Sequence, residues 1–431
     1  MKFQAIDLLN GRSRSAGIPK RVLLVPSTLL LTIFLVSLIS RSSKTLSPEV
    51  DTSNSHALLP SIDTSSSNST EEKSCDVFLG EWVSYPGGPR YYDETCKLLL
   101  DQQNCFKNGR PDREFLNWRW KPYECDLPLF DATQFLKLVR GKSMAFVGDS
   151  VGRNHMLSLL CLLSTVASPE KLSSRYEPLS PYAKYESSQW FYADYNFTLG
   201  MFFSPFLVRS ILSDPNGFSW NSRVNVYLDE ADEEWTTRIQ TFDHVILSAA
   251  QWFWRQMVFY EKGQVVGCFG CKNENITDLP NTYGLRKVFR TALRTLNELK
   301  GYNGVTFLRT YSPTHFENGE FNTGGSCPRR KPFAKGERRL EGYPLEAYLT
   351  QVEEFRTAEK EGRKKGLQFR LLETTEAMML RPDGHPNHYG RMKNKNVKVV
   401  DCVHWCCPGP IDTWNEFLLH FMKLGTQTSS S

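Results

Sequence analysis

The chain has 431 residues, with 40% apolar and 23% charged positions and a net charge of +5 from 52 Lys and Arg against 47 Asp and Glu. That length holds one large domain or two, the balance is that of ordinary globular protein, and so mild a charge gives no ground for a nucleic-acid partner. Aromatics are plentiful at 13%, which suits either a large core or a surface on which sugar rings stack.

The first element is Val22–Ser40, VLLVPSTLLLTIFLVSLIS, an uncharged run long enough to span a bilayer as a helix. Lys2, Arg12, Arg14, Lys20 and Arg21 precede it, against Arg41 and Lys44 just after. That asymmetry puts residues 1–21 in the cytosol and the rest across the membrane. A cleaved signal peptide is the rival reading. Its apolar stretch is usually shorter, and no small-x-small cleavage site follows Ser40, so an uncleaved anchor is expected. Residues 41–74 are Ser/Thr-rich and read as a disordered stem. All 11 cysteines, Cys75 to Cys407, follow the anchor, as do sequons at Asn68, Asn196 and Asn275. An oxidising lumen predicts disulfides, and the odd count leaves one thiol over.

Residues 75–134 are rich in cysteine and aromatics and poor in periodic runs, as in a disulfide-stapled subdomain. From 135 to 424 the pattern is regular. Ser143–Val147 reads as a buried strand, and Val151–Leu163 as a helix with Met156, Leu159, Leu160 and Leu163 on one face. Asp243–Ser248 is another buried strand, Leu285–Leu299 a helix, and Val305–Leu308 the strand after it. Leu345, Tyr348, Leu349, Val352 and Phe355 mark an amphipathic helix before the strand-like Leu367–Leu372. This alternation predicts a parallel sheet covered on both faces, with ligands beyond the carboxyl ends of its strands. The basic run Arg329–Arg339 reads as a solvated loop and 425–431 as a disordered tail.

Gly148-Asp149-Ser150 ends the first of these strands. All three residues form turns, so a plain turn is one reading. The other is a nucleophile at a strand-to-helix corner, where Gly148 permits the tight turn and the helix N-terminus favours a developing oxyanion. Such a serine needs a base. Asp401-Cys402-Val403-His404 offers one, His404 taking the serine proton and Asp401 fixing its tautomer.

GDSVGRNH, RTYSPTHFENGEFNTGGSC (Arg309–Cys327), LRPDGHPNHYG (Leu380–Gly390), DCVHWCCPGPIDTWN (Asp401–Asn415) and the CDVFLGEWV block at Cys75 resemble the plant trichome birefringence-like family. The resemblance runs from Cys75 to about Leu424, and the wording is most similar to the xyloglucan O-acetyltransferase branch. It implies a GDSL/SGNH-like three-layer α/β/α domain behind a single membrane helix, in a Golgi type II protein. It implies Ser150 as acyl nucleophile, His404 as base and Asp401 as its partner. The acceptor it implies is a hemicellulose, xyloglucan first, with mannan or xylan as alternatives and an acetylesterase as the rival activity. No cofactor is expected to stay bound; acetyl-CoA or another carrier supplies the acetyl group, and a donor transporter is a conceivable partner.

Gly148, Asp149, Arg153, Asn154, Gln251 and Trp252 form the expected oxyanion or substrate set. Many family members carry a Gly-His-Trp-Trp-like block where Ala249-Ala250-Gln251-Trp252-Phe253 stands here. Gln251 cannot be a base; it is either a donor to oxyanion or substrate or a packing residue. Trp190, Trp252, Trp254 and Trp405 could stack on sugars, with core packing the better reading for at least half of them. Asp383-Gly-His385-Pro-Asn-His388 can be read as a metal site, but a loop packed near the active site is preferred and no metal is expected. His155 and His315 are lesser candidates. Cys268-x-x-Cys271 is read as a local disulfide rather than a zinc or redox site. The resemblance implies the pairs Cys75–Cys125, Cys96–Cys161, Cys105–Cys406 and Cys327–Cys402, with Cys407 left unpaired.

Overall fold

Seven strands form the central sheet of the computed structural model, in the order β13-β12-β9-β3-β6-β5-β4. They are β3 (Ser143–Gly148), β4 (Glu170–Leu172), β5 (Ser188–Tyr192), β6 (Phe197–Phe203), β9 (His244–Ser248), β12 (Val305–Arg309) and β13 (Gln368–Leu372). Residues 75–92, 94–172, 187–213, 222–271, 275–390, 392–394, 397–398 and 400–427 are described. The apolar run Val22–Ser40, the stem, Asn68 and the last four residues lie outside them. Among the described residues no helix is long and apolar enough to cross a membrane.

The five strands from β13 to β6 are parallel, as the buried apolar runs predict. The sheet is not parallel throughout, which corrects the expectation. β5 and β6 are joined by the short 3-10 turn Ala193–Tyr195 and Asn196, at φ 47°, and so tight a link can only connect antiparallel strands. β4 is antiparallel as well. A second, mixed sheet of four strands has the order β11-β10-β8-β7, with β7 (Val208–Leu212), β8 (Val224–Ala231), β10 (Met257–Glu261) and β11 (Gln264–Phe269). Its inner pair is parallel and its outer pairs antiparallel.

Helix α1 (Ala132–Leu138) and helix α5 (Asp412–Gln427) pack against α2 (Ser150–Leu163). Every residue of α2 except Arg153 is buried, so this helix runs through the core. Helices α3 (Asn281–Glu298) and α4 (Gly342–Lys364) pack on each other. The cysteine-rich segment contributes the two-stranded pair β1 (Gly80–Ser84) and β2 (Trp118–Pro122). Val77, Trp82, Tyr91 and Trp120 share one core with the sheet, and Trp82 donates to the Ala377 carbonyl. Residues 72–431 are therefore one compact unit. All five expected disulfides are present and Cys407 is a buried free thiol.

Candidate active site

The apolar strand β3 stops at Gly148 because its neighbours crowd it. Gly148 has φ 150°, and a Cβ there would collide with the Ser248 carbonyl of β9. Asp149 then caps α2, its Oδ1 accepting from the amides of Val151 (2.9 Å) and Gly152 (3.2 Å). Its Oδ2 accepts from the Gln251 amide at 3.1 Å, which ties the β3–α2 corner to the end of β9. Burial raises the Asp149 carboxyl, and Arg309 and these three amides pull it back. With no exposed surface, Asp149 cannot touch a substrate. It is the cap that sets the corner, a correction to its expected place in the oxyanion set.

Ser150 is the first residue of α2, at the carboxyl ends of the central parallel strands. Its Oγ lies 2.8 Å from His404 Nε2, and His404 Nδ1 lies 2.8 Å from Asp401 Oδ2. The carboxylate requires a proton on Nδ1, which leaves Nε2 to accept from the serine hydroxyl. Asp401 Oδ1 accepts from the amides of Val403 (3.1 Å) and His404 (2.9 Å), so one oxygen holds the loop backbone while the other faces the imidazole. Burial would raise this carboxyl, but the electrostatic pull of His404 and the hydrogen bonds from His404 and the Val403 amide outweigh it and hold Asp401 at about 2.

Residues 401–407 have no regular helix or strand, and they are held from several directions. Cys327–Cys402 and Cys105–Cys406 fasten the segment to distant loops. Asn387 and Asp401 exchange backbone hydrogen bonds at 2.8 and 2.9 Å. Asn154 accepts from the Trp405 amide (2.8 Å) and donates to the Trp405 carbonyl (3.2 Å). Both ends of its side chain are thus used on the backbone beside His404, which takes Asn154 out of the expected oxyanion donors and makes it a clamp. Gln251 spends a side-chain N–H on the Ser312 carbonyl at 2.6 Å, and Trp405 donates to Ser312 Oγ at 2.9 Å. Ala250 carries φ 124°, rare for a residue with a Cβ; Tyr343 hydrogen-bonds its carbonyl and Gln351 that of Ala249.

Two histidines lie behind the site, each with a ring nitrogen on a backbone carbonyl. His385 Nδ1 donates to the His404 carbonyl at 2.7 Å, its ring stacks on Trp405, and its Nε2 meets His315 Nδ1 at 2.7 Å. His315 Nε2 lies 2.8 Å from the Met379 carbonyl. Burial drives His385 well below the usual imidazole range and His315 to about 4. Asp383 is locked in a fully buried pair with Arg381, and His388 is exposed. The other cluster with ligand spacing, Cys268, Cys271 and Asp278, has its two sulfurs joined.

The remaining candidates divide by burial. Arg153 is half-buried with its guanidinium 5.5 Å from the Phe203 ring centre. Trp252 packs edge-on against Phe203 and Phe206 in the core, and Trp405 is fully buried, which corrects the expectation of a substrate contact for Trp252. His155 lies between Phe146 and Trp414, also in the core. Arg309 was not singled out by sequence. It is buried under the Ser248 end of β9, where it donates to the Ser248 hydroxyl and to the Thr310 carbonyl. Burial lowers its pKa to about 10. Asn196 and Asn275 are exposed, as glycan acceptors must be.

Residues 127–421 match the PC-Esterase family, described as a GDSL/SGNH-like acyl-esterase family found in Pmr5 and Cas1p, and residues 73–126 match the PMR5 N-terminal domain. The chain belongs to this family. It is 48% identical over 357 residues to protein trichome birefringence-like 19 of Arabidopsis thaliana, covering 82% of each chain. It is 44% identical to xyloglucan O-acetyltransferase 4 of Populus trichocarpa, again over 82% of each chain. Xyloglucan O-acetyltransferase 3 of the same species is 41% identical over 82% of this chain and 87% of its own. The family's acyl chemistry requires a nucleophile and a base in contact, which is the geometry at Ser150 and His404.

Proposed function

We propose that this chain is a polysaccharide O-acetyltransferase whose acceptor is a hemicellulose, xyloglucan before mannan or xylan, and that Ser150 carries the acetyl group between donor and acceptor. The observation that supports it is the unbroken chain Ser150–His404–Asp401, with 2.8 Å at each link, in a chain similar to two xyloglucan O-acetyltransferases.

In the first half-reaction Ser150 Oγ attacks the acetyl carbonyl while His404 Nε2 takes its proton, and Asp401 stabilises the imidazolium. The tetrahedral oxyanion forms at the start of a 14-residue helix. The amides of Val151 and Gly152 are held by Asp149, so the Ser150 amide is the backbone donor assigned to it, with Arg153 alongside. The donor's leaving group departs with the proton from His404. In the second half-reaction a sugar hydroxyl attacks the acetyl-serine, His404 takes its proton, and the serine oxygen leaves with that proton. Water in place of the sugar would make an acetylesterase, a reading favoured by the acyl-esterase description of the family.

The same reading sets the chain in the Golgi membrane as a single-pass type II protein anchored by residues 22–40, with the folded unit in the lumen. Five disulfides and the exposed Asn196 and Asn275 support an oxidising secretory compartment. The donor is acetyl-CoA or another acetyl carrier, delivered by a membrane transporter.

The test uses the full chain, wild type and Ser150→Ala, with an acetyl donor and xyloglucan or mannan oligosaccharides, followed by mass spectrometry. Serine-dependent gain of acetyl groups on xyloglucan is expected. Gain on mannan alone moves the acceptor. Acetyl loss from pre-acetylated oligosaccharides, with no gain on either glycan, replaces the transferase by an esterase.

A further inference from the structure

Large aromatic side chains left in solvent are seldom idle when they touch each other. Trp254 is 46% exposed and Phe321 43% exposed, and their ring centres lie 5.7 Å apart at an angle of 48°. Phe316 meets Phe321 edge-on at 6.3 Å. The two exposed rings come from different chain segments, one tied to Asp149 and the other to Cys402.

Trp254 belongs to the turn that follows β9. Gln251, Trp252, Phe253 and Arg255 around it are all buried, so the backbone holds the indole outward from a rigid base. Gln251 is bonded through its amide to Asp149, the neighbour of Ser150. Phe321 lies in the loop between His315 and Cys327. That loop is closed by paired backbone bonds between Glu317 and Ser326 and by a bond from Gly325 to Glu320. At its base Cys327 is joined to Cys402, beside Asp401, and the His315 amide donates to the Cys402 carbonyl. One ring is thus tied to the Asp149–Ser150 corner and the other to the segment that carries Asp401 and His404.

The reach fits a polymer. Two residues lie between Gln251 and Trp254, at most about 11 Å of chain, so the Trp254 backbone stands within about 25 Å of Ser150. That is the span of a few pyranose units in an extended glycan. An equatorially substituted pyranose ring presents C–H bonds on its faces, which suits the electron-rich face of an aromatic ring. We propose that Trp254 and Phe321 form an aromatic platform that holds one sugar ring of the neutral acceptor chain, a few units from the ring whose hydroxyl takes the acetyl group. The proposal rests on the reading of this chain as a polysaccharide acetyltransferase. It makes the platform a determinant of acceptor length: oligosaccharides too short to reach it gain nothing from it.

The experiment takes the full chain as wild type, Trp254→Ala, Phe321→Ala and Trp254→Tyr, each checked for an unaltered melting temperature. Acetyl transfer is measured to a series of xyloglucan oligosaccharides of increasing length. Binding of the same series is measured by calorimetry in the Ser150→Ala background. The expected result is that kcat/KM for long over short acceptors falls about tenfold in Trp254→Ala and less in Phe321→Ala, that Trp254→Tyr restores most of it, and that binding of the long oligosaccharides weakens in parallel. An identical length dependence in wild type and Trp254→Ala overturns the platform while leaving acetyl transfer intact. A dimer in the wild type that dissociates on Trp254→Ala also overturns it, because a second copy would then cover the rings. If the wild type acetylates no glycan of any length, the underlying reading fails and the platform with it.

Discussion

Asp401 faces His404 with one oxygen and the backbone of its own loop with the other. Asp401→Asn keeps the shape and removes the charge that both selects the Nδ1–H tautomer and stabilises the imidazolium. The expected outcome is a fall in kcat of about 10³- to 10⁴-fold, the scale known for this change in a serine protease triad, with the acceptor KM little moved. Steady-state acetyl transfer checks it, and a loss under tenfold would mean that His404 is oriented by something else. The triad was legible because nucleophile, base and orienting carboxylate lie in two short motifs. His385 and His315 were legible only as histidines in a loop. They act through backbone carbonyls of His404 and Met379, and no residue pattern marks a carbonyl as a partner. Asn154 was visible but misassigned, since its position one turn after Ser150 fits an oxyanion donor as well as a clamp on Trp405.

At the scale of elements, the site depends on how closely β3 and β9 run together. Gly148↔Ser248 is the last pair of that ladder. The φ of 150° and the Ser248 carbonyl both exclude a side chain at Gly148. Gly148→Ala must strain the backbone or push β9 aside, at a cost of roughly 3 kcal/mol or more. It should lower the melting temperature by several degrees and misplace Ser150, and a thermal melt beside the acetyl-transfer assay checks both. A variant as stable and active as the wild type would show that the corner tolerates another path. The elements predicted from sequence were those with one clear signal. β3, β9, β12 and β13 are short apolar runs, and α3 and α4 are long and periodic. β5 is half-buried along most of its length and carries no such run, and β8 alternates across a sheet whose existence no motif announced. α5 follows the Cys-Cys-Pro-Gly-Pro turn and reads as part of that motif rather than as a helix. The antiparallel edge was hidden for a similar reason: the turn at 193–196 contains no Asn-Gly or Asp-Gly pair to mark a hairpin.

Across the whole molecule, buried titratable groups set how stability varies with pH, and their signs oppose one another. Burial pushes Glu416 up to about 8, with Arg119 and the Phe130 amide opposing and Asp412 assisting. Burial likewise raises Glu373 to about 7, and Asp232 and Asp412 to about 6. A carboxyl whose folded pKa is raised binds a proton that the unfolded chain has released. Its contribution is complete below the unfolded pKa and is lost as pH rises through the folded one. The buried histidines behave oppositely: His244 and His315 are lowered to about 4, so their cost appears as pH falls from the unfolded imidazole range toward 4. Between pH 4 and 6.5 the two sets offset each other. Asp401, held at about 2, opposes the raised carboxyls only below its unfolded value of 3.8. From pH 6.5 to 8 Glu416 and Glu373 are still losing protons in the folded chain, partly offset at the lower end by the unfolded histidines losing theirs, so stability should fall there by about 1 kcal/mol per pH unit. Melting temperatures of the wild type should therefore drop by a few degrees across that interval. Glu416→Gln, which keeps the shape without the ionisation, should flatten the slope and melt higher than the wild type at pH 8. Parallel slopes for the two proteins would mean that Glu416 is ionised in the folded chain throughout, with Arg119 and Arg90 holding it as a carboxylate.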